Sequence, residues 1–215
     1  MIAWGRANFV QYPWRSPGRD RWLGLVAEVL LQRTRVDQVV PVYEEFARRY
    51  PSPTLLLREK PDALRQVVGS LGLHWRTPLL MRMASDVAML GAPPDRIEEL
   101  TDLPGVGPYA AAAYLSFHRG VRAPIVDSNV VRWLGRVFDF PTDPETRRKR
   151  WLIELADALT PARAFRAYNY AVLDLSMTIC SATPHCTKCP LANGLCTFRA
   201  AQAGPKRSRM QRKNA

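Results

Sequence analysis

The sequence predicts an all-α protein. Apolar residues recur at three- and four-residue steps, no segment alternates apolar and polar residues as a half-buried strand does, and proline and glycine punctuate the chain at helical lengths. Between residues 21 and 50, Trp22, Leu25, Val26, Val29, Leu30, Val36, Val39, Val40, Val42 and Phe46 keep that step. The polar stretch 32–35 interrupts it, so two helices joined by a turn are expected, the second stopped by Pro51 and Pro53. Residues 61–71 read as a short helix ended near Gly72, and 76–90 as another closed by Gly91, Pro93 and Pro94. A brief helical turn at 97–100 precedes a helix that starts near Pro108. Helices at 129–138 and 147–159 follow, and one at 165–179 leads straight into four cysteines.

The chain has 215 residues, enough for one large domain or two small helical lobes. Its 31 Lys+Arg against 19 Asp+Glu give a net charge of +12, which points to a polyanionic partner, with nucleic acid ahead of an anionic membrane. No apolar run approaches the roughly 18 residues of a spanning helix. The start, MIAWGRANFVQYPWR, lacks the apolar core of a secretory signal, so the cytoplasm is the expected location. Residues 200–215 are expected to form a basic, disordered tail. That tail either adds sequence-independent attraction to phosphates or is simply solvated.

Two motifs carry chemistry. Residues 103–113 read LPGVGPYAAAA, in which Gly105 and Gly107 are free to take φ > 0 and Leu103 and Val106 can plug the turn into a core. Backbone N–H groups at the start of the following helix make an anion site, the pattern of a helix-hairpin-helix that holds a DNA phosphate without reading bases. The competing reading is a helix–helix corner packed for stability. The second motif, CSATPHCTKCPLANGLC, spaces its thiols as Cys180-x5-Cys186-x2-Cys189-x6-Cys196. All four cysteines fall in this stretch, which favours a metal centre over a disulfide framework. Zinc and a [4Fe–4S] cluster are both permitted by the spacing.

Taken together, LPGVGPY, then PIVDSNVVRW, then the four-cysteine loop resemble the helix-hairpin-helix DNA glycosylases that carry an iron–sulfur cluster. The resemblance runs from about Tyr12 to Cys196. It implies a [4Fe–4S] cluster on Cys180, Cys186, Cys189 and Cys196, and two helical lobes with double-stranded DNA and a flipped base between them. Residues 17–121 would form a six-helix barrel carrying the hairpin, and 1–16 with 122–199 the cluster domain. The outer cysteine gaps, five then six residues, stand in the reverse of the family's commonest order, a one-residue shift that loops absorb.

The resemblance also assigns roles. Asp127 matches the family's aspartate, a carboxylate that stabilises positive charge on the sugar as the N-glycosidic bond breaks. An Asp there also suits the cap of the helix that follows. Tyr109 stands where strand-cleaving relatives carry a lysine; a phenol has no amine to form their imine, so base removal alone is expected. Glu28, in AEVLLQRT, matches the acidic residue at the base pocket of the MutY-type and thymine–guanine enzymes, able to protonate the leaving base or orient water. The LLQRT stretch looks more like the thymine–guanine enzymes, and Gln32 and Arg33 would then fill the space left by the flipped base. His74 and Trp75, in GLHWRT, would wedge or stack at the lesion, or pack at a helix start. The 19 residues after Cys196 are too few for the further domain of MutY-type enzymes. The expectation is a monomeric glycosylase acting on thymine or uracil opposite guanine. The alternatives are adenine excision opposite oxidised guanine, and a non-catalytic DNA-binding iron–sulfur protein.

Overall fold

A computed structural model of the protein describes residues 1–72, 74–192 and 194–203, and every regular element among them is helical. The chain divides into two compact units. The larger comprises Val10–Ile125 and Thr160–Arg166, the smaller Met1–Phe9, Val126–Leu159 and the described residues from Ala167 onward. Residues 10–16, 122–125 and 160–166, expected with the cluster domain, belong to the larger unit. Trp14, expected with the cluster unit, stacks on Tyr12 and meets Tyr43 edge-on, which ties the segment after Phe9 to the larger unit.

In the larger unit, α2 (Arg21–Leu30) and α3 (Val36–Arg49) are the two helices expected from the apolar step. Asp20 caps α2 by accepting from the N–H groups of Trp22 and Leu23. α4 (Pro53–Leu57) is an addition to the expected set. Pro53 was read as a stop, yet it occupies the first turn of a new helix whose cap is the Ser52 hydroxyl. α5 (Pro61–Val68) runs into a 3-10 turn that ends at Gly72 in the left-handed region, φ 70°. α6 (Arg76–Leu90) has the expected limits and closes on Gly91, φ 79°. α7 (Ile97–Asp102) and α8 (Pro108–Tyr114) complete this unit. The core is built from Leu25, Val26, Leu30, Phe46, Leu64 and Met83, all fully enclosed. Ala110, Ala111, Ala112 and Ala113 are all buried, and this small-residue face lets α8 lie close against α2.

The smaller unit holds α1 (Ile2–Ala7), α9 (Ser128–Phe138), α10 (Arg150–Leu159), nearly all of α11 (Phe165–Thr178), and α12 (Thr197–Ala203). α12 corrects the expected tail boundary, because the helix runs on past residue 200. Its start is held by the Thr197 hydroxyl on the Val137 carbonyl, 2.8 Å, and by Phe198 beneath the Arg136 guanidinium. The remainder of the expected disordered tail, 204–215, lies outside the described residues. No described helix is long and apolar enough to cross a membrane.

α1 docks on α11 where Gly5 meets Ala171 so closely that a Cβ on residue 5 would lie 2.4 Å from the Ala171 Cβ. Overpacking of this kind costs about 1–3 kcal/mol. Gly5→Val is therefore expected to lower the urea midpoint. Gly107→Ala, where a Cβ meets nothing within 4 Å and φ is −92°, is expected to leave it unchanged.

Candidate active site

Every residue of α2 from Trp22 to Leu30 is buried, Glu28 included at 3% exposure. A carboxyl so enclosed needs a partner, because burying it alone is heavily unfavourable. The partner is His118, whose Nε2 lies 2.9 Å from Glu28 Oε1. His118 belongs to a π-helical segment, Leu115–Arg119, that continues α8. One turn before Glu28, Gly24 leaves the hole in which the imidazole sits: a Cβ there would fall 2.8 Å from His118 Cγ and 2.9 Å from Nδ1. Glycine inside a helix costs about 0.5–1 kcal/mol relative to alanine, and the ring it admits accounts for its presence. Arg119 anchors the same segment by a two-pronged contact with Asp95, 2.5 and 2.9 Å. That guanidinium holds the Asp95 carboxyl below the usual carboxylate range. The sequence reading found Glu28 but missed His118; a glycine inside an otherwise apolar helix was the available signal.

The turn after α2 and the LPGVG turn meet directly. Gln32 donates its side-chain N–H to the Gly105 carbonyl at 2.9 Å, so two residues expected at the DNA are joined to each other. Gly105 does adopt the left-handed region, φ 83°, whereas Gly107 is extended and has no steric need to be glycine in the free chain. Leu103 and Val106 are each 5% exposed, so Leu103 anchors the turn in the core instead of presenting itself to a ligand. Tyr109 is half-buried in the first turn of α8. Arg33 is exposed and held at φ 57°, a strained state for a side-chain-bearing residue and one common at binding sites. Arg76 was not anticipated. It is 2% exposed, donates to the Leu30 carbonyl at 3.0 Å and so satisfies the end of α2. Burial pulls its guanidinium down to about 10, with the like charge of Arg33 a smaller cause. His74 and Trp75 are exposed, with the Trp75 ring 5.5 Å from the Arg76 guanidinium.

In the smaller unit Asp127 caps α9. Its Oδ1 accepts from the Val130 N–H at 2.7 Å, and its Oδ2 from the Asn129 side-chain amide at 2.7 Å. Both oxygens are thereby oriented, and each retains a lone pair for a ligand. Further along α9 two arginines reach the cysteine loop. Arg132 donates to the carbonyls of Cys180 and Ser176 and to Asn129 Oδ1. Arg136 donates to the carbonyls of Ser181, at 2.6 Å, and Ala182, and lies 3.5 Å from Cys180 Sγ. The hydrogen bonds thus run from Asp127 through Asn129 and Arg132 to Cys180, none of which beyond the aspartate and cysteine was read from the sequence.

Cys180, Cys186, Cys189 and Cys196 line one cavity together with Trp133 and Phe198. The indole N–H of Trp133 is buried without an acceptor among the described residues. Burial pushes the Cys189 thiol up, the Leu191 N–H pulls the other way, and the three neighbouring thiols add an upward push. Among the described residues no three His, Cys, Asp or Glu side chains gather closely enough to hold a single ion. Four thiols around one cavity, with the Arg136 guanidinium beside one of them, fit the donor set of a larger sulfur-rich group.

Comparison with known proteins identifies the family of the fold. Residues 26–156 match the family model of the HhH-GPD superfamily of base excision DNA repair proteins. The chain is 38% identical to the thymine/uracil-DNA glycosylase of Pyrobaculum aerophilum, the match covering 86% of this chain and 84% of that one. It is also 38% identical to the thymine-DNA glycosylase of Aeropyrum pernix, covering 92% of each. Among solved structures it superposes on a thermostable thymine-DNA glycosylase with a TM-score of 0.84, at 30% identity and 93% coverage of both chains. With a family match over more than half its length and relatives 38% identical over 86% and 92% of it, the chain belongs to the HhH-GPD superfamily of base excision DNA repair proteins.

Proposed function

We propose that the protein is a monofunctional DNA glycosylase that excises thymine or uracil mispaired with guanine and leaves an abasic site with the strand intact. The observation that carries the choice of base is the likeness, over nearly the whole chain, to enzymes named for thymine and uracil. The residues supply the mechanism. DNA docks with its backbone against the Gly105 turn and the exposed Arg33, and the net charge of +12 draws it in without reading sequence. Asp127, its carboxylate held by Asn129 and the α9 N-terminus, faces the sugar and stabilises the charge that develops at C1′. Glu28 meets the departing base, supplying a proton or aligning water. Tyr109 occupies the attacking position of lysine-bearing relatives without an amine, so no imine forms and no strand elimination follows.

Cys180, Cys186, Cys189 and Cys196 would hold a [4Fe–4S] cluster, which when bound supplies a rigid cross-link for the loop between α11 and α12. The arginines at 132 and 136 act on that loop from α9, so the order of the cysteine stretch and the setting of Asp127 are mechanically connected.

Duplexes carrying thymine or uracil opposite guanine are expected to become alkali-labile after incubation and to stay uncut without alkali. Cleavage only of adenine opposite oxidised guanine would overturn the choice of base. Asp127→Asn keeps a side chain that caps helices well, so folding and duplex binding should persist. Its single-turnover rate should fall by about 10²–10³, the loss typical of one electrostatic stabiliser. Protein purified without oxidation should contain about four irons and four sulfides per chain. Cys189→Ser should lose both and melt at a lower temperature; a purified protein with zinc alone would overturn the cluster.

A further inference from the structure

We infer that His118 is a positioning residue for Glu28: it locks one carboxyl oxygen so that the other is the one presented to the departing base. The inference rests on the reading of Glu28 as the residue that serves the leaving base. It stands on three observations. The His118 and Glu28 side chains are only 3% and 4% exposed, and Nε2 and Oε1 are 2.9 Å apart, so water does not compete for the bond. Glu28 Oε2 makes no hydrogen bond among the described residues, so the pair leaves one oxygen uncommitted.

The backbone on both sides is shaped around the ring. Gly24 and Glu28 are four residues apart and share one face of α2, the first providing the space and the second the acceptor. On the other side, the Leu115–Arg119 segment is π-helical. A π turn inserts an extra residue and rotates the side chains after it, a distortion frequent at functional sites. Tyr114 covers the imidazole, ring centroids 6.0 Å apart and planes at 27°, and is itself fully buried. Arg119, next in sequence, is pinned outward by Asp95 and fixes the end of the segment. The ring is therefore held by a hole, a stacked neighbour and an anchored backbone, and it has one polar partner to act on.

Two buried phenols lie by the pair: Tyr43, raised to about 12 chiefly by burial with Glu28 among the smaller causes, and Tyr114, raised further by burial. Neither phenol ionises in the working range.

The test is a set of single-turnover measurements on a thymine–guanine duplex with Glu28→Gln, His118→Phe, His118→Gln and the Glu28→Gln/His118→Phe double variant. His118→Phe should slow excision about tenfold to a hundredfold, a share of the 10²–10⁴ that a positioned acid or base contributes. Its affinity for a duplex with a tetrahydrofuran abasic analogue should change less than about twofold. His118→Gln, whose amide nitrogen stands where Nε2 stood, should recover most of the rate. In the Glu28→Gln background, His118→Phe should have no further effect, because interacting residues are not additive. Additive losses, or a wild-type rate in His118→Phe while Glu28→Gln is impaired, would overturn the inference. A wild-type rate in Glu28→Gln would instead remove Glu28 from its role and His118 with it. Should His118→Phe not fold, imidazole nitrogen NMR settles the matter in the folded Glu28→Gln protein. The chain has three histidines, and only the His118 signal should move; an unmoved His118 signal would overturn the pairing.

Discussion

A carboxyl group on a helix that is enclosed on every side has to be paired, and much of the larger unit follows from that constraint. Glu28 is enclosed because α2 is the element around which α3 and α8 pack. Once it is enclosed, a donor must come from a neighbouring helix, and α8 can deliver one only if it approaches closely. The four buried alanines of α8 allow the approach, Gly24 clears the space, and the π segment turns His118 into it. Each feature is unfavourable or neutral alone: glycine weakens a helix, a π turn strains one, and a buried acid is poorly solvated. Together they satisfy one another.

The smaller unit solves a different problem. Asp127 is not enclosed, and its orientation comes from hydrogen bonds at a helix N-terminus, where the dipole already favours negative charge. The opposite end of the same helix supplies cations to the cysteine loop. One helix of 11 residues thus has its ends matched to two tasks by the polarity of its backbone.

The helices were legible wherever the apolar step was long. α2, α3 and α6 follow the pattern closely, and the breaks at 31–35 and at Gly91 fall where polar residues and glycine announce them. The short elements were not. α1 lacks a side-chain cap, and α4 hides behind two prolines that act as a terminator when read forward and as an initiator when the serine between them is noticed. The candidate site was legible as single residues but not as contacts. Glu28, Tyr109 and Asp127 each stand in a recognisable string, but His118 lies 90 positions from Glu28, and Asn129 and Arg132 resemble any polar face of an amphipathic helix. Gly107 shows the converse. The sequence suggested a conformational reason for it, and the backbone, extended there, supplies none.

The grip of α9 on the cysteine loop is almost entirely on main-chain oxygens: those of Ser176, Cys180, Ser181 and Ala182. A clamp that holds carbonyls is indifferent to the side chains it passes. It fixes the first cysteine and the two residues after it, and the loop then closes on itself, the Thr183 carbonyl accepting from the Ser181 hydroxyl and the His185 N–H donating to the Ile179 carbonyl. The attachment of the loop to α9 therefore does not depend on which side chains stand between the first two cysteines.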